Sequence, residues 1–589
     1  MALNNNQISN KGFWLTTDEE GHCFDQPLCE TIKNLTKNKS LLDLGCGTGA
    51  YTKELQSSCT SAKGYDGNPN TPEISKGLCG VADLTQKQEF DKVDWVLSLE
   101  VGEHVPKESE DILLDNICSH SNKGVILSWA VPGQPGDGHI NCQSNEYIIN
   151  KMLDKGFNID WDSTYRLREN ATLWWFKNTL MCFQKLPIPK SITSMEKITF
   201  CIPSKSNLQY LKTCIPSIRN NAYKKDHDII VFVDSDEDGT VKWLDQVKDE
   251  YNLTYYINPK LGEELYGIGM AYDFCIENSN TDIFMIFHAD MILAKNADYE
   301  AYKYLKEKTV VCATRIEPPL HPNNGEKILQ DFGMYPKEFK EKDFNQYIID
   351  RVEQFDRVPT TEGIFAPWMM YKKEYLEILG GHDPILHSCR EDSDIFNRMS
   401  LADFTFIQTW EGFVYHFTGR GAGSFDGDKK RHEFWQDQMN NSTKDFIRKW
   451  GQNVNHTPMM KPIILPKYDI GFIVKNSRDV QLIKALESWC STIYVDEGNT
   501  PTIIKNYIDL EQPNTSFDLQ EKVKPYDNEK NNEILVTIDG SKFTQQDFQI
   551  IQQLSAIIQE SGEVGEFELG NLSIEIIKMN EYQNDLINL

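Results

Sequence analysis

The run LLDLGCGTGAYT at residues 41–52 constrains this chain more than any other feature. It opens as a short, leucine-rich buried strand, then places Gly45, Gly47 and Gly49 at alternate positions before a helix begins. Alternate glycines let the backbone approach a ligand closely and leave the N–H groups of the helix start pointing at it. A strand entering such a loop belongs to an open α/β sheet, whose ligands sit at the carboxyl ends of the strands.

The patterning on either side agrees. SLLDLG, SAKGYD, VDWVLSLE, GVILSWAV and LMCFQ read as short strands separated by stretches of helical length, as far as Phe183. KLPIPKSITSMEK then reads as a linker. A second series follows, with strands ITFCIP, DIIVFVD, DIFMIFHAD and TVVCATR, and runs to about residue 450. After the proline-rich NVNHTPMMKPIILPKYD, a third segment opens with YDIGFIVK and STIYVDEG and closes in an expected hairpin around Gly570 and Asn571. At 589 residues the chain exceeds one core. Three α/β domains are expected, at 1–186, 195–455 and 466–589.

With 88 Asp plus Glu against 60 Lys plus Arg, the net charge of -28 opposes nucleic acid or an anionic membrane as a partner. The diphosphate of a nucleotide needs no basic face, because one divalent ion and a few donors can hold it. The N-terminus lacks a basic segment followed by an apolar core, and no apolar run reaches about 18 residues, so a soluble, cytoplasmic protein without a transmembrane segment is expected. The 14 cysteines are scattered singly, and those in apolar runs, such as Cys201 and Cys312, read as reduced core thiols.

After the glycine loop, GYDGNP puts Asp66 at the end of the next strand, where a carboxylate can accept both hydroxyls of a ribose, and CGVADLT puts Asp83 where the third strand ends. LSLEVGEHVP supplies Glu100, Glu103 and His104 after the fourth strand. The glycine loop with its two following acids resembles the class I S-adenosylmethionine methyltransferases, over about residues 35 to 185. The resemblance implies that S-adenosyl-L-methionine is the cofactor, with Asp43, Gly45, Gly47 and Gly49 at its methionine part, Asp66 at the ribose, Asp83 at the adenine edge and Leu84 against the ring. SWAVPGQPGDGHIN forms a loop that can aim His139 at an acceptor hydroxyl as general base, since an imidazole titrates near neutral pH. His104 and His139 read equally well as hydrogen-bonded loop residues. Trp174, Trp175 and Phe176 could offer a sugar platform, although core packing is the commoner role of such a cluster.

The second series carries five features in order. FCIPSKSNLQYLKTCIPSI is a strand-loop-helix containing Pro203, VFVDSDEDGT ends a strand on Asp234 and Asp236, and IFMIFHADM places His288 and Asp290 after an apolar strand. LEILGGHDPILHSCREDSDIFNRM then joins a glycine turn and Asp383 to Glu391 and Asp392 at a helix start, and GFVYHFTGRG puts His416 after a strand. Each alone is commonplace: acidic turns are usually solvated, and acids at a helix start are favoured by its dipole. Together, over about residues 196 to 420, they resemble family-2 glycosyltransferases of the GT-A fold.

That resemblance implies a nucleotide-sugar donor contacted by Pro203, Asp234 and Asp236, and a glycan or glycoconjugate acceptor. Asp290 would ligate Mn²⁺ or Mg²⁺ with His416 as a further ligand, because a divalent ion must neutralise the departing nucleotide. His288 stands where the family's D-x-D motif has its first acid; this departure bears on metal preference and leaves His288 for the ribose or a donor phosphate. Asp392 would be the general base of an inverting displacement, with Glu391 and Asp383 orienting the acceptor.

In the third segment Asp496, Glu497 and Asp539 read as ordinary strand-end acids, in a packing or acceptor-binding module. The whole reads as a bifunctional enzyme that transfers a sugar to a glycan and a methyl group to a sugar hydroxyl. The alternative is a methyltransferase acting on a protein or metabolite and carrying a non-catalytic glycan- or nucleotide-binding domain. A decayed scaffold is opposed by the intact glycine loop and Asp392. Nucleic-acid methylation is opposed by the charge and by the absence of an Asn-Pro-Pro-aromatic or Asp-Pro-Pro-Tyr motif.

Overall fold

The computed structural model describes residues 8–17, 22–186, 194–354, 359–387, 389–419, 429–477, 480–496 and 502–589. Glu497 and much of the expected linker lie outside them. The chain forms two compact units, Met1–Ile188 and Pro189–Leu589. The fold is mixed α/β with three sheets, the last in the C-terminal region. Among the described residues no helix is long and apolar enough to cross a membrane.

The first unit is built on strands β1 (Ser40–Leu44), β2 (Ser61–Asp66), β3 (Cys79–Val81), β4 (Val93–Ser98), β5 (Ser121–Ser128), β6 (Phe157–Ile159) and β7 (Leu180–Lys185), in the order β3-β2-β1-β4-β5-β7-β6. Strands β3 to β5 in that order are parallel, and β7 runs antiparallel to both of its neighbours. Leu41, Leu42 and Leu44 are fully or almost fully buried. A near-continuous apolar strand is what a parallel sheet covered on both faces requires, and each such leucine contributes about 1.5–3 kcal/mol. The order reverses between β1 and β4, which opens a crevice at their carboxyl ends.

The second unit holds a nine-stranded sheet of β8 (Thr199–Lys205), β9 (Asp228–Ser235), β10 (Thr254–Ile257), β11 (Ile283–Ile286), β12 (Met291–Leu293), β13 (Thr309–Glu317), β14 (Ile328–Leu329), β15 (Trp368–Tyr371) and β16 (Thr405–His416). Its order is β10-β9-β8-β11-β15-β13-β16-β12, with β14 beside β13. The four expected strands correspond to β8, β9, β11 and β13. The short β12 matters most for position: it pairs antiparallel with β16 so that Met291 faces His416.

The third sheet comprises β17 (Ile470–Lys475), β18 (Thr492–Val495), β19 (Val523–Pro525), β20 (Ile534–Asp539), β21 (Gly565–Leu569) and β22 (Leu572–Ile576), in the order β19-β18-β17-β20-β22-β21. β21 and β22 form the hairpin around Gly570 and Asn571, with Leu569 opposite Leu572.

A long helix, Lys429–Trp450, binds this sheet to the nine-stranded one. Arg448 is buried among Asp445, Glu487 and Glu511, all within 3.1 Å of its guanidinium. The adjacent Lys449 pairs with Asp383 at 2.6 Å and with Asp394 at 2.7 Å. Asp394 also accepts from Trp450 Nε1 and Arg398 Nε, each at 2.8 Å, so the helix Glu391–Leu401 is anchored by a satisfied buried network.

Candidate active sites

In the first unit a cavity of about 550 Å³ opens at the carboxyl ends of β1, β2 and β4. Asp43, Gly45, Gly47, Asp66, Asp83, Leu84, Glu100, His104 and His139 all line it. Gly49 does not; with φ at 81° it caps the helix Ala50–Leu55, a left-handed conformation that favours glycine. The N–H of Gly47 donates to Asp66 at 2.8 Å, and that of Asn68 to the other Asp66 oxygen at 2.9 Å, so the strand-end acid is preset against the glycine loop.

Asp43 lies within the buried strand, and burial pushes its carboxyl up to about 7 against the hydrogen bond from Thr52 Oγ1 at 2.7 Å. Burial acts to raise Asp83 too, but the Lys11 ammonium and Thr85 outweigh it and hold the carboxyl below its usual range. Lys11, Phe13, Trp14 and His22 also form part of the cavity wall. No sequence signal marks them, because a short N-terminal segment without periodicity acquires its role only by folding over the sheet.

The far side of the cavity is fixed by backbone hydrogen bonds. The N–H groups of Ile140 and Asn141 donate to the carbonyl of Glu103 at 2.9 and 2.8 Å, pinning the loop after β5 to the end of β4 and bringing the His104 and His139 rings to 5.1 Å between centroids. His104 Nδ1 donates to the Gly138 carbonyl and His139 Nδ1 to that of Gln134, each at 3.2 Å, which leaves Nε2 of both rings with a lone pair. Burial, then the neighbouring His139, lowers His104 to about 4. Glu103 is fully buried; burial first and then the Glu100 carboxylate raise it well above its usual range. Asp25 takes the N–H groups of Thr172 and Leu173 at 2.7 and 2.8 Å, setting Trp174, Trp175 and Phe176 at the cavity edge, where Trp174 is 54% exposed and Phe176 only 3%.

In the second unit the β12–β16 register brings together His288, Asp290 and His416, each with a ligand atom within 4.8 Å of the others. His416 Nε2 lies 3.4 Å from Asp290 and 3.5 Å from His288 Nδ1. Behind it, His416 Nδ1 donates to Glu317 at 2.9 Å, and Glu317 is held by Arg315 at 2.8 Å and Lys327 at 3.4 Å. Burial opposes protonation of His416, but Asp290 and Glu317 overcome it and raise the imidazole to about 9. Burial and the adjacent His416 lower His288 to about 4. A carboxylate and two imidazoles, one of them oriented by a second carboxylate, form a donor set that fits a divalent metal. His288 thus joins the expected ligands Asp290 and His416 in one cluster. Glu317 was absent from the sequence reading because its β13 strand looked purely structural.

The other expected residues spread around the same sheet. Pro203 lies in β8. Asp234 is buried, accepting from Asn258 Nδ2 at 2.9 Å and from the backbone of Tyr266 and Gly267 at 2.6 and 3.2 Å. Asp236 accepts from Val241 N at 3.2 Å. Glu391 and Asp392 open their helix side by side; burial and then the charge of Asp392 push Glu391 up to about 8, and its Oε2 has no partner among the described residues. Asp383 is committed to Lys449 and to the N–H of Ile385. Tyr272, which the sequence did not single out, has a buried hydroxyl without a hydrogen-bond partner among the described residues, and the charges of both Glu391 and Asp290 act on it.

Comparison with known proteins identifies most of the first unit and the N-terminal half of the second. Residues 24–185 match the family model described as methyltransferase domain, and residues 199–379 match that of glycosyl transferase family 2. The chain therefore carries a methyltransferase domain and a family 2 glycosyltransferase domain, and it is a transferase enzyme. Among solved structures it is similar to a magnesium protoporphyrin IX methyltransferase from Synechocystis PCC 6803 with bound SAH, at 18% identity and a TM-score of 0.22, over 27% of this chain and 81% of that one. It is similar to a mannosyltransferase from Pyrobaculum calidifontis in complex with GDP-Man and Mn²⁺, at 14% identity and a TM-score of 0.31, over 46% and 69% of the two chains. It is also similar to an amino pentose methyltransferase from Micromonospora echinaspora, at 12% identity and a TM-score of 0.22, over 27% and 89%. No curated protein matches the sequence.

Proposed function

We propose that the chain is a bifunctional glycan-modifying enzyme, which transfers a sugar from a nucleotide-sugar donor to a glycan acceptor and a methyl group from S-adenosyl-L-methionine to a sugar hydroxyl. Tethering the two domains raises the concentration of one product at the other site.

The observation that carries the reading is the Asp290–His416–Glu317 alignment beside His288. These residues would hold Mn²⁺ or Mg²⁺, which supplies the positive charge that a departing nucleoside diphosphate requires. Asp392, at a helix start anchored by Lys449 and Arg398, is the proton acceptor for the incoming hydroxyl in an inverting displacement. In the other domain the glycine loop fits S-adenosylmethionine: a Cβ on Gly47 would lie 2.8 Å from the His22 ring, and one on Gly45 2.3 Å from Val101, so side chains there would fill the cradle. Asp66 suits the ribose and Asp83 with Leu84 the adenine, while His104 and His139 line the part of the cavity left for the acceptor.

Thermal shift of the full chain with S-adenosylmethionine and a panel of nucleotide sugars, each with and without Mn²⁺, tests both halves. Stabilisation by S-adenosylmethionine and by one sugar nucleotide in the presence of metal is expected. Silence from every sugar nucleotide would sink the glycosyl-transfer half.

A further inference from the structure

Beside the methyl-donor cradle, Glu103 is fully buried, and neither carboxylate oxygen accepts a hydrogen bond of ordinary geometry among the described residues. The Glu100 carboxyl lies against it, and a buried carboxylate faced by a like charge is costly, by several kcal/mol when charged. Nature tolerates one where a cation completes it. One oxygen of Glu103 and one nitrogen each from His104 and His139 lie within 4.8 Å of one another. Both imidazoles have Nδ1 tied to a backbone carbonyl, the arrangement that fixes a metal-binding ring and its tautomer. The loop is shaped for this orientation, since a Cβ on Gly136 would lie 2.1 Å from His139 Nε2.

We propose that Glu103, His104 and His139 form a second divalent-metal site, with His104 and His139 in the wall of the N-terminal cavity and Glu103 buried behind them, that binds the acceptor hydroxyl for methylation. Two imidazoles and one carboxylate suit Mn²⁺, Fe²⁺, Co²⁺ or Zn²⁺ better than the all-oxygen preference of Mg²⁺ or Ca²⁺. Three protein ligands leave coordination positions open for a sugar hydroxyl, whose proton affinity the ion lowers. The hydroxyl proton passes to Glu100, which lines the same cavity. The oxygen then bonds to the methyl carbon while the carbon–sulfur electron pair returns to the donor's sulfur. His139 is accordingly a ligand, and the proton acceptor is a carboxylate. The proposal rests on the reading of this cavity as a methyl-donor site.

The test uses the full chain, stripped with a chelator and titrated with Mn²⁺ alone, the bound ions being counted from the paramagnetic resonance of free Mn²⁺. His139→Ala should bind one ion fewer than the wild type and lose methyl transfer on the order of a hundredfold, while S-adenosylmethionine affinity, measured by equilibrium dialysis, stays within about threefold. Glu103→Gln keeps the buried shape and should also bind one ion fewer. An unchanged ion count in both variants overturns the proposal, and so does wild-type methyl transfer that survives the chelator. A His139→Ala variant that loses activity with its ion count intact makes His139 a bare base and equally overturns it. Failure of the wild type to bind S-adenosylmethionine would instead sink the methyl-donor reading, and the ion count would still judge the cluster.

Discussion

His416 gives its Nδ1 proton to Glu317 at 2.9 Å and so turns Nε2 toward Asp290. Replacing Glu317 by Gln should weaken Mn²⁺ binding about 10- to 100-fold, the usual effect of losing a group that orients a ligand. Arg315 and Lys327 would lose one of the two carboxylates they share, keeping only Glu326, so the denaturation midpoint should fall as well. Isothermal titration with Mn²⁺ beside a denaturant melt separates the two effects; unaltered metal affinity would remove Glu317 from the site.

Asp392→Asn should abolish sugar transfer while donor binding stays close to wild type, because the change removes the proposed proton acceptor without touching His288, Asp290 or His416. Single-turnover transfer and nucleotide-sugar titration on the same sample decide this, and lost donor affinity would contradict the assigned role.

Gly47→Val should eliminate S-adenosylmethionine binding and methyl transfer, since its Cβ would enter the space of the His22 ring and its φ of 53° is left-handed. Sugar transfer, a property of the other unit, should persist. Loss of both activities would reveal coupling between the units.

Burial raises Asp43 from 3.8 to about 7 in the folded protein. The folded state therefore holds this proton more tightly than the unfolded chain, and the associated stability is present below about pH 4 and lost as pH rises through about 7. Melting temperatures across that window should fall with rising pH, and Asp43→Asn should flatten part of the slope. An identical pH profile for the variant would show that Asp43 does not titrate there.

Asp383 read from sequence as an acceptor-orienting acid, whereas in the structure it faces Lys449 at 2.6 Å. If its role is to hold that lysine, Asp383→Asn should cost about 1–3 kcal/mol in stability and leave the acceptor KM within about twofold. A raised KM at unchanged stability would return it to the acceptor site.

What the sequence disclosed was local. LLDLGCGTG encodes a strand, a loop and a helix start in one window, and Asp66 and Asp83 follow near the ends of the next two strands, so these elements could be read directly. The His288, Asp290 and His416 cluster was half legible. Asp290 and His416 each end a recognisable apolar run, but what joins them is the register of Met291–Leu293 against β16, and three apolar residues carry no period of their own. Asp383 shows a limit of such reading, because an acid after a glycine turn looks the same whether it awaits a substrate or meets a lysine 66 residues away. Lys11 and Trp14 lacked any signal, being defined wholly by the surface on which they land.

The two cations at the end of the long helix set a limit on how this chain can drift. Arg448 and Lys449 are consecutive, about 100° apart around the helix, and each serves a different sheet. One residue inserted or deleted between Phe434 and Asp445 would rotate both cations away from Glu487, Glu511, Asp383 and Asp394 in a single event, so natural variants should differ in length elsewhere, in the proline-rich stretch at 455–466, and hold this helix to an invariant count.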